Sequence, residues 1–174
     1  MTSNDYFSLI LIVIIIAYAL YNLYKVGKVF NEHMNSKKAF ITKSKGKYDT
    51  QQDYTLWVAI FVVILVVSIV MMAKNMMAKE YLTTAAFLFL FIFCISLIMD
   101  ALITRQALFD EDGFFYETKY YRFRTISDLK PRSSLMPSYD MYLSTGSSVR
   151  ISRKMGDRLE KELKAYKQRK KNRK

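Results

Sequence analysis

The sequence predicts an α-helical membrane protein with three transmembrane helices and a small α+β cytoplasmic module, made of an antiparallel sheet and a C-terminal helix. Three observations support this fold class. Three runs of 19, 20 and 19 residues, at 6–24, 54–73 and 81–99, carry no charged side chain, and a bilayer core needs roughly 20 apolar residues in a helix. The segment between the first two runs is rich in lysine. After the third run, short apolar segments alternate with turn residues, which is typical of strands.

These patterns divide the chain into three regions and exclude two classes of protein. The regions are a transmembrane region 1–103, with spans at about 6–24, 54–73 and 81–103 and a basic cytoplasmic loop 25–53, a cytoplasmic sheet-and-helix module 104–166, and a basic tail 167–174. Three runs of this length exclude a soluble single domain. Because Cys94 is the only cysteine and lies inside the third run, a disulfide scaffold is excluded as well.

The distribution of lysine and arginine predicts the orientation. Residues 1–5 carry none, the loop 25–53 carries seven, the link 74–80 carries two, and the chain from Arg105 onward carries eighteen. Because cationic loops are retained on the cytoplasmic side, an outside N-terminus places 25 of the 27 cations inside. The sequence therefore predicts a multi-pass protein with its N-terminus outside and its C-terminus in the cytoplasm.

The first apolar run is interpreted as an uncleaved anchor. Ala17-Tyr18-Ala19 has the small-x-small pattern of a signal-peptide cleavage site. However, residues 2–5 lack the positive charge that precedes a signal peptide, and the run is longer than the usual apolar region of one. The cations follow the run instead, which favours an anchor that stays in the membrane.

The link between the second and third runs is rich in methionine, with Met71, Met72, Met76 and Met77 close together. Clustered thioethers can bind Cu(I). With no His or Cys beside them, flexible apolar filler at a helix end is the favoured interpretation, and no metal site is predicted.

Asp100 is an ionisable residue in the last turns of the third span. An intramembrane carboxylate is a candidate functional group, for example in a proton relay. Because Asp100 lies about one turn from the predicted inner end, a hydrated or paired carboxylate at the interface is favoured. A relay would require a deep position that faces the protein.

The loop 25–53 alternates lysines with apolar residues such as Phe30, Phe40 and Ile41. Cations beside the membrane attract the anionic inner leaflet by about 1 kcal/mol each, and the apolar side chains can enter the interface. The same pattern is also the signal that sets the orientation. His33, the only histidine, is predicted to be a solvated loop residue.

The module is predicted to contain about five strands, at 106–109, 114–117, 120–126, 140–143 and 149–151. A hairpin turn is expected at 110–113, because an Asp-Gly step tolerates positive φ, and another at 144–148, while 131–137 is read as a break. Five strands followed by a helix resemble pleckstrin-homology-like modules, which usually have seven. This analogy concerns the fold and implies no function.

The chain is predicted to end in an amphipathic helix. Met155, Leu159, Leu163 and Tyr166 fall on one stripe, and Ser152 is a suitable N-cap. The tail 167–174 holds six cations in eight positions and is predicted to be frayed or disordered.

The layout and several short motifs resemble the YobD-like family of small bacterial inner-membrane proteins. The motifs are Gly113-Phe114-Phe115-Tyr116, Ile126-Ser127-Asp128-Leu129, Val149-Arg150-Ile151 and Asp157-Arg158-Leu159-Glu160-Lys161. The resemblance implies a three-helix protein of the bacterial plasma membrane. It implies no enzyme activity and transfers no catalytic residue.

The sequence predicts a non-enzymatic adaptor or accessory protein, because it contains no nucleophile elbow, phosphate-binding glycine loop or zinc-type spacing. No cofactor is expected. The module would bind another membrane protein or the anionic lipid of the inner leaflet, in a regulatory or immunity-type role. The candidate contacts are aromatic and cationic: Tyr120, Tyr121, Arg122, Phe123, Arg124, Lys170, Lys171, Arg173 and Lys174.

Two other functions are weighed against the adaptor. One is a subunit of an oligomeric transporter or channel, although three spans with few polar side chains offer little for a hydrophilic path, and homo-oligomerisation stays open. The other is nucleic-acid binding through the basic tail. Beside a membrane, anionic lipid is the nearer polyanion, so no nucleic-acid partner is predicted.

Overall fold

The computed structural model describes residues 3–133 and 137–172. These residues form four α-helices, seven strands and one 3₁₀ turn, in two compact units. In chain order the elements are α1 (Ser3–Lys43), β1 (Asp49–Gln52), α2 (Thr55–Met77), α3 (Tyr81–Thr104), β2 (Gln106–Phe109), β3 (Gly113–Tyr116), β4 (Lys119–Arg122), the 3₁₀ turn Phe123–Thr125, β5 (Ile126–Arg132), β6 (Ser138–Leu143), β7 (Ser148–Ser152) and α4 (Arg153–Asn172).

The first unit comprises the described residues up to 31 together with 55–101. Three helices, α1, α2 and α3, are long and apolar enough to cross a membrane, which confirms the prediction of three such helices. α2 runs to Met77, so half of the predicted link is helical, and a tight turn with a backbone bond from Glu80 N to Asn75 O (2.9 Å) leads into α3.

Hydroxyl groups within the first unit bond to their own helices. Ser68 Oγ donates to Ile64 O at 2.8 Å, and Ser96 Oγ donates to Ile92 O at 3.3 Å. Both serines are buried. Their hydroxyls are therefore satisfied within the helix, as buried polar groups require.

The predicted loop 25–53 is wrong for most of its length. α1 continues without a break to Lys43, and β1 follows after a turn at Lys45 and Gly46, both with positive φ. Residues 32–54 belong to the second unit. The physical reason is that His33, Lys37 and Phe40 stand at helical spacing and contact one sheet face, so burial favours a helix where alternating lysines suggested a loop.

The second unit comprises 32–54 and the described residues from 102 onward. It contains a four-stranded antiparallel sheet, ordered β1-β2-β3-β4 (sheet one), and a three-stranded antiparallel sheet, ordered β5-β6-β7 (sheet two). Its main core joins side chains of both sheets and of α4, including Phe109, Phe114, Met141, Ile151, Met155 and Leu159. The predicted sheet-and-helix module is thus present, with β1 as a strand that the sequence reading did not expect.

Both central strands of sheet one are buried on both faces. Phe109 and Phe114 face the main core, whereas Leu108 and Phe115 contact Phe40 of α1 on the opposite face. Every residue of β2 and β3 is buried. A strand covered on both faces is expected to be a continuous apolar run, which explains the sequence Phe114-Phe115-Tyr116.

The predicted strand 120–126 is wrong in its extent. β4 ends at Arg122, and the chain makes a 3₁₀ turn before β5 begins at Ile126. Thr125 Oγ1 donates to Arg122 O at 2.7 Å, and Phe123 N donates to Asp112 O at 2.9 Å. These bonds turn the chain from sheet one to sheet two.

The predicted break at 131–137 starts two residues too early, because β5 continues through Pro131 to Arg132. Pro131 is tolerated because β5 is an edge strand of sheet two. The hairpin expected at 144–148 is confirmed, and Gly146 there adopts φ +82°.

α4 begins as predicted and extends further than predicted. Ser152 Oγ accepts a bond from Met155 N at 3.4 Å, the expected N-cap contact. The frayed or disordered tail is wrong for 167–172, which are helical. Lysine, arginine and glutamine are good helix formers, and cations near a helix C-terminus interact favourably with its dipole.

Candidate functional site

The C-terminal part of α1 packs on sheet one through a stack of aromatic rings. The ring of Phe40 lies 5.7 Å from that of Phe115 and 5.7 Å from that of Tyr120, nearly parallel to each. Tyr48, just before β1, meets Phe40 edge-on at 6.1 Å. Such pairs add roughly 0.5–1.5 kcal/mol each beyond the area they bury, so this stack fixes the end of α1 against β3 and β4.

The prediction that His33 is a solvated loop residue is wrong. Its side chain is 2% exposed, its Nδ1–H donates to Glu117 O, and its ring lies 5.6 Å from Phe115. One helical turn further on, Lys37 Nζ donates to Gln106 Oε1 at 2.6 Å. Both polar groups are thus satisfied inside the contact between α1 and sheet one.

The turn between β2 and β3 is organised by the carboxylate of Asp110. Asp110 Oδ1 accepts bonds from Asp112 N at 2.9 Å and Gly113 N at 2.7 Å. The Tyr120 hydroxyl donates to the same carboxylate at 2.8 Å. Burial, together with this bond to Asp110, raises the pKa of the Tyr120 phenol, so the hydroxyl stays protonated.

The reason that glycine stands at 113 differs from the predicted one. Gly46 and Gly146 are the glycines with positive φ among the described residues, and Gly113 is not one of them. A Cβ at Gly113 would lie 2.2 Å from Tyr121 O and 2.9 Å from the Tyr120 ring. Glycine is therefore required by the close approach of β4.

A half-open groove with a volume of about 670 Å³ lies between the end of α1 and the strands β3 and β4. Its apolar lining includes the rings of Phe40, Phe115 and Tyr120, which belong to the aromatic stack. Its charged lining includes Lys43, Arg122 and Arg124, with Asp110 and Asp112 beside them. We call this space the basic groove.

The three cations of the basic groove differ from four arginines elsewhere in the second unit. Arg105, Arg132, Arg150 and Arg158 each form an ion pair. For the side chains of Lys43, Arg122 and Arg124, the described part of the chain offers neither an ion pair nor a hydrogen bond. Three cations from two helical segments and one strand therefore line the same space without forming an ion pair, although the carboxylates of Asp110 and Asp112 line it too.

The structure divides the predicted contact residues 120–124 into two sets. Tyr120, Arg122 and Arg124 line the basic groove. Tyr121 and Phe123 are buried in the main core, so their prediction as surface contacts is wrong. Alternate residues of a strand point to opposite faces, which separates Tyr121 from Tyr120 and Arg122 in β4, and the 3₁₀ turn supplies Phe123 to the core and Arg124 to the groove.

Two of the four predicted tail contacts are described, and they lie near the same region. Lys170 and Lys171 are exposed in the last turn of α4, whereas Arg173 and Lys174 lie outside the described residues. Tyr166 of α4 lines the basic groove, and Arg169 donates to Glu111 O in the β2–β3 turn at 3.2 Å. The C-terminal turns of α4 therefore lie beside the groove.

The sequence reading missed the contribution of α1 to the groove. Ser36, Phe40 and Lys43 all line it. Their spacing of four and three residues was a helical signal, but the lysines around them were read as a loop.

The structure adds no support to two other hypotheses, a metal site and a proton relay at Asp100. The residues that the structure describes contain no group of three or more His, Cys, Asp or Glu side chains close enough to hold a metal ion. Asp100 is exposed near the end of α3, which is not the deep, protein-facing position that a relay would need. Its role at an interface stays a prediction.

The chain thus has three helices that are long and apolar enough to cross a membrane, and a second unit with the basic groove, which is partly lined by aromatic rings. Comparisons with protein-family models, curated proteins and solved structures find no match for this chain. Its function is therefore inferred from its own residues.

Proposed function

We propose that the protein is a non-enzymatic multi-pass adaptor of the bacterial plasma membrane. Its second unit lies in the cytoplasm and binds another membrane protein or the anionic inner leaflet. Three helices long and apolar enough to cross a membrane support the multi-pass arrangement. The excess of cations after the first and third helices supports the orientation.

One observation carries the proposal. The groove cations Arg122 and Arg124 and the exposed Lys170 and Lys171 of α4 occupy the same region of the second unit. Exposed cations without counterions attract acidic surfaces, by about 1 kcal/mol each at an anionic membrane. We call this region, including the exposed Lys167 of α4, the basic face.

The second unit resembles a known kind of module in its element count. Seven strands in sheets of four and three, followed by a helix, match the element count of pleckstrin-homology-like modules. In this chain α2 and α3 are inserted between the paired strands β1 and β2. The resemblance to YobD-like proteins is part of the same proposal, and neither likeness assigns a function by itself.

The transporter alternative gains no support from the described residues, because the buried hydroxyls of Ser68 and Ser96 bond to their own helices. Homo-oligomerisation stays a prediction.

The orientation is tested by labelling single cysteines. In a Cys94→Ser background, Lys79→Cys is expected to react with a membrane-impermeant maleimide in intact cells, because residue 79 lies in the turn between α2 and α3. Lys161→Cys, which is exposed on α4, is expected to react only after permeabilisation. The opposite pattern would overturn the proposed orientation.

The adaptor function is tested by neutralising the three α4 lysines of the basic face in one triple variant, called the tail variant. The variant Lys167→Gln, Lys170→Gln and Lys171→Gln removes three exposed cations from α4. With the full chain in phosphatidylcholine nanodiscs, binding to phosphatidylglycerol vesicles is expected to fall about tenfold or more, since three cations contribute about 1 kcal/mol each. The measurement is flotation, repeated with neutral vesicles.

The matched control for the tail variant removes the same charge elsewhere. Lys119, Arg153 and Lys161 are exposed in the second unit, and their replacement by glutamine should leave vesicle binding within about twofold. Binding to a protein partner is tested by crosslinking in intact membranes, followed by mass spectrometry. One stoichiometric partner should be crosslinked to the parent chain and lost from the tail variant. No membrane partner together with equal binding to neutral and anionic vesicles would refute the adaptor function, and retention of DNA at physiological salt would favour nucleic acid instead.

A further inference from the structure

We infer that the basic groove is a binding site for an organic phosphate, a phosphate ester whose apolar or aromatic part lies against the ring of Tyr120. This site is distinct from the α4 lysines of the basic face. Its ligand is a small molecule that enters the groove. The inference goes beyond the adaptor function and does not depend on it.

The size of the groove fits a small molecule. Its volume of about 670 Å³ lies within the range of roughly 300–1,000 Å³ that is common for ligand sites. The groove combines an apolar floor with a few converging polar groups, as such sites do.

The floor of the groove is already ordered without a ligand. Phe40 is held between Phe115 and Tyr120, and the Tyr120 hydroxyl is held by Asp110. A ligand therefore does not need to order these side chains when it binds, which lowers the cost of association. The exposed ring of Tyr120 offers apolar contact to the non-phosphate part of the ligand.

The cationic side chains of the groove favour a phosphate group in the ligand. Arg122 and Arg124 present planar guanidinium groups, which match the oxygens of a phosphate in paired hydrogen bonds, and Lys43 adds a third donor from the end of α1. All three approach from different backbone segments, and none of their side chains forms an ion pair or a hydrogen bond among the described residues. An anionic phosphate would pair with them.

The two carboxylates in the groove act differently. Asp110 already accepts two backbone N–H groups and the Tyr120 hydroxyl, so its charge is spread over three bonds. The side chain of Asp112 is exposed and opposes an anion. Replacing Asp112 with asparagine keeps its size and backbone contacts, and should therefore tighten phosphate binding by about two- to fivefold.

The test measures binding to the full chain in phosphatidylcholine nanodiscs by isothermal titration calorimetry. The probes are 1-naphthyl phosphate, inorganic phosphate and the water-soluble lipid dihexanoylphosphatidylglycerol. We expect at least one of the two organic probes to bind more tightly than inorganic phosphate, because only the organic probes reach the aromatic floor. Preference for naphthyl phosphate would assign a soluble ligand, and preference for the lipid would assign a phospholipid headgroup.

The variants separate the groove from the tail. Lys43→Gln, Arg122→Gln and Arg124→Gln should each weaken binding by about tenfold, the usual effect of losing a charge-assisted hydrogen bond. The tail variant described above should bind the probes within about twofold of the parent chain. The four groove residues to be substituted are exposed: Lys43, Asp112, Arg122 and Arg124. An unchanged thermal unfolding midpoint will confirm that each variant keeps its fold.

The outcomes are decisive. Failure of all three probes to bind, or equal losses in the groove and tail variants, would overturn the site. The adaptor function can fail while the site stands, because the tail variant tests one and the groove variants test the other. A chain that binds vesicles but no soluble probe would keep the adaptor function and refute the site.

Discussion

Replacement of Gly113 by alanine is expected to lower the free energy of unfolding of the second unit by about 3 kcal/mol, the upper part of the range for overpacking. The added Cβ would lie 2.2 Å from Tyr121 O, which is backbone in the middle of β4. Backbone in a sheet can shift only if the ladder between β3 and β4 opens. The loss should therefore appear as faster amide hydrogen exchange in both strands.

The measurement is hydrogen exchange with mass spectrometry on the full chain, with thermal unfolding followed by circular dichroism. Gly27→Ala is the matched control, because a Cβ at Gly27 meets no atom within 4 Å, and alanine is favoured over glycine in a helix by about 1 kcal/mol. Protection of β3 that is equal in the Gly113 variant and the parent would contradict the close approach of β4.

Replacement of Phe40 by alanine is expected to cost about 3 kcal/mol, at the lower end for a buried phenylalanine, because Phe40 is 8% exposed. The substitution removes the ring that joins Phe115 to Tyr120. It should release the C-terminal part of α1 from sheet one. The measurement is hydrogen exchange in 32–43 and in β3.

Val29→Ala is the control on the same helix, since Val29 is 38% exposed. That substitution should change exchange in 32–43 only slightly. If Phe40→Ala leaves both segments protected, the aromatic stack contributes little to the contact. The Phe40 variant should also weaken organic phosphate binding, although loss of structure would then account for part of the effect.

Much of the fold could be predicted because its signals are local. The absence of charge over about 20 residues identified the three apolar helices, and Ser152 with the stripe through Met155 and Leu159 identified α4. The turns at 110–113 and 144–148 placed two hairpins correctly. Each of these signals depends on residues close together in the chain.

The errors arise where distant residues decide the structure. The end of α1 is helical and His33 is buried because Phe115 and Glu117 lie against them, and those partners are more than 80 positions away. β1 has weak strand propensity and exists because β2 pairs with it. The groove itself depends on the same long-range contact, so only Tyr120, Arg122 and Arg124 of its lining could be proposed in advance.

The insertion of α2 and α3 between β1 and β2 has a consequence for biosynthesis. β1 leaves the ribosome before either helix, yet its hydrogen-bonding partner is made only after both. Loop closure over so many residues would be slow for a flexible chain, but a helical hairpin returns the chain to its starting point, and Asp53 N then bonds to Arg105 O at 2.9 Å. Sheet one can therefore close only after α2, α3 and β2 have been made, and β1 stays without its partner strand until then.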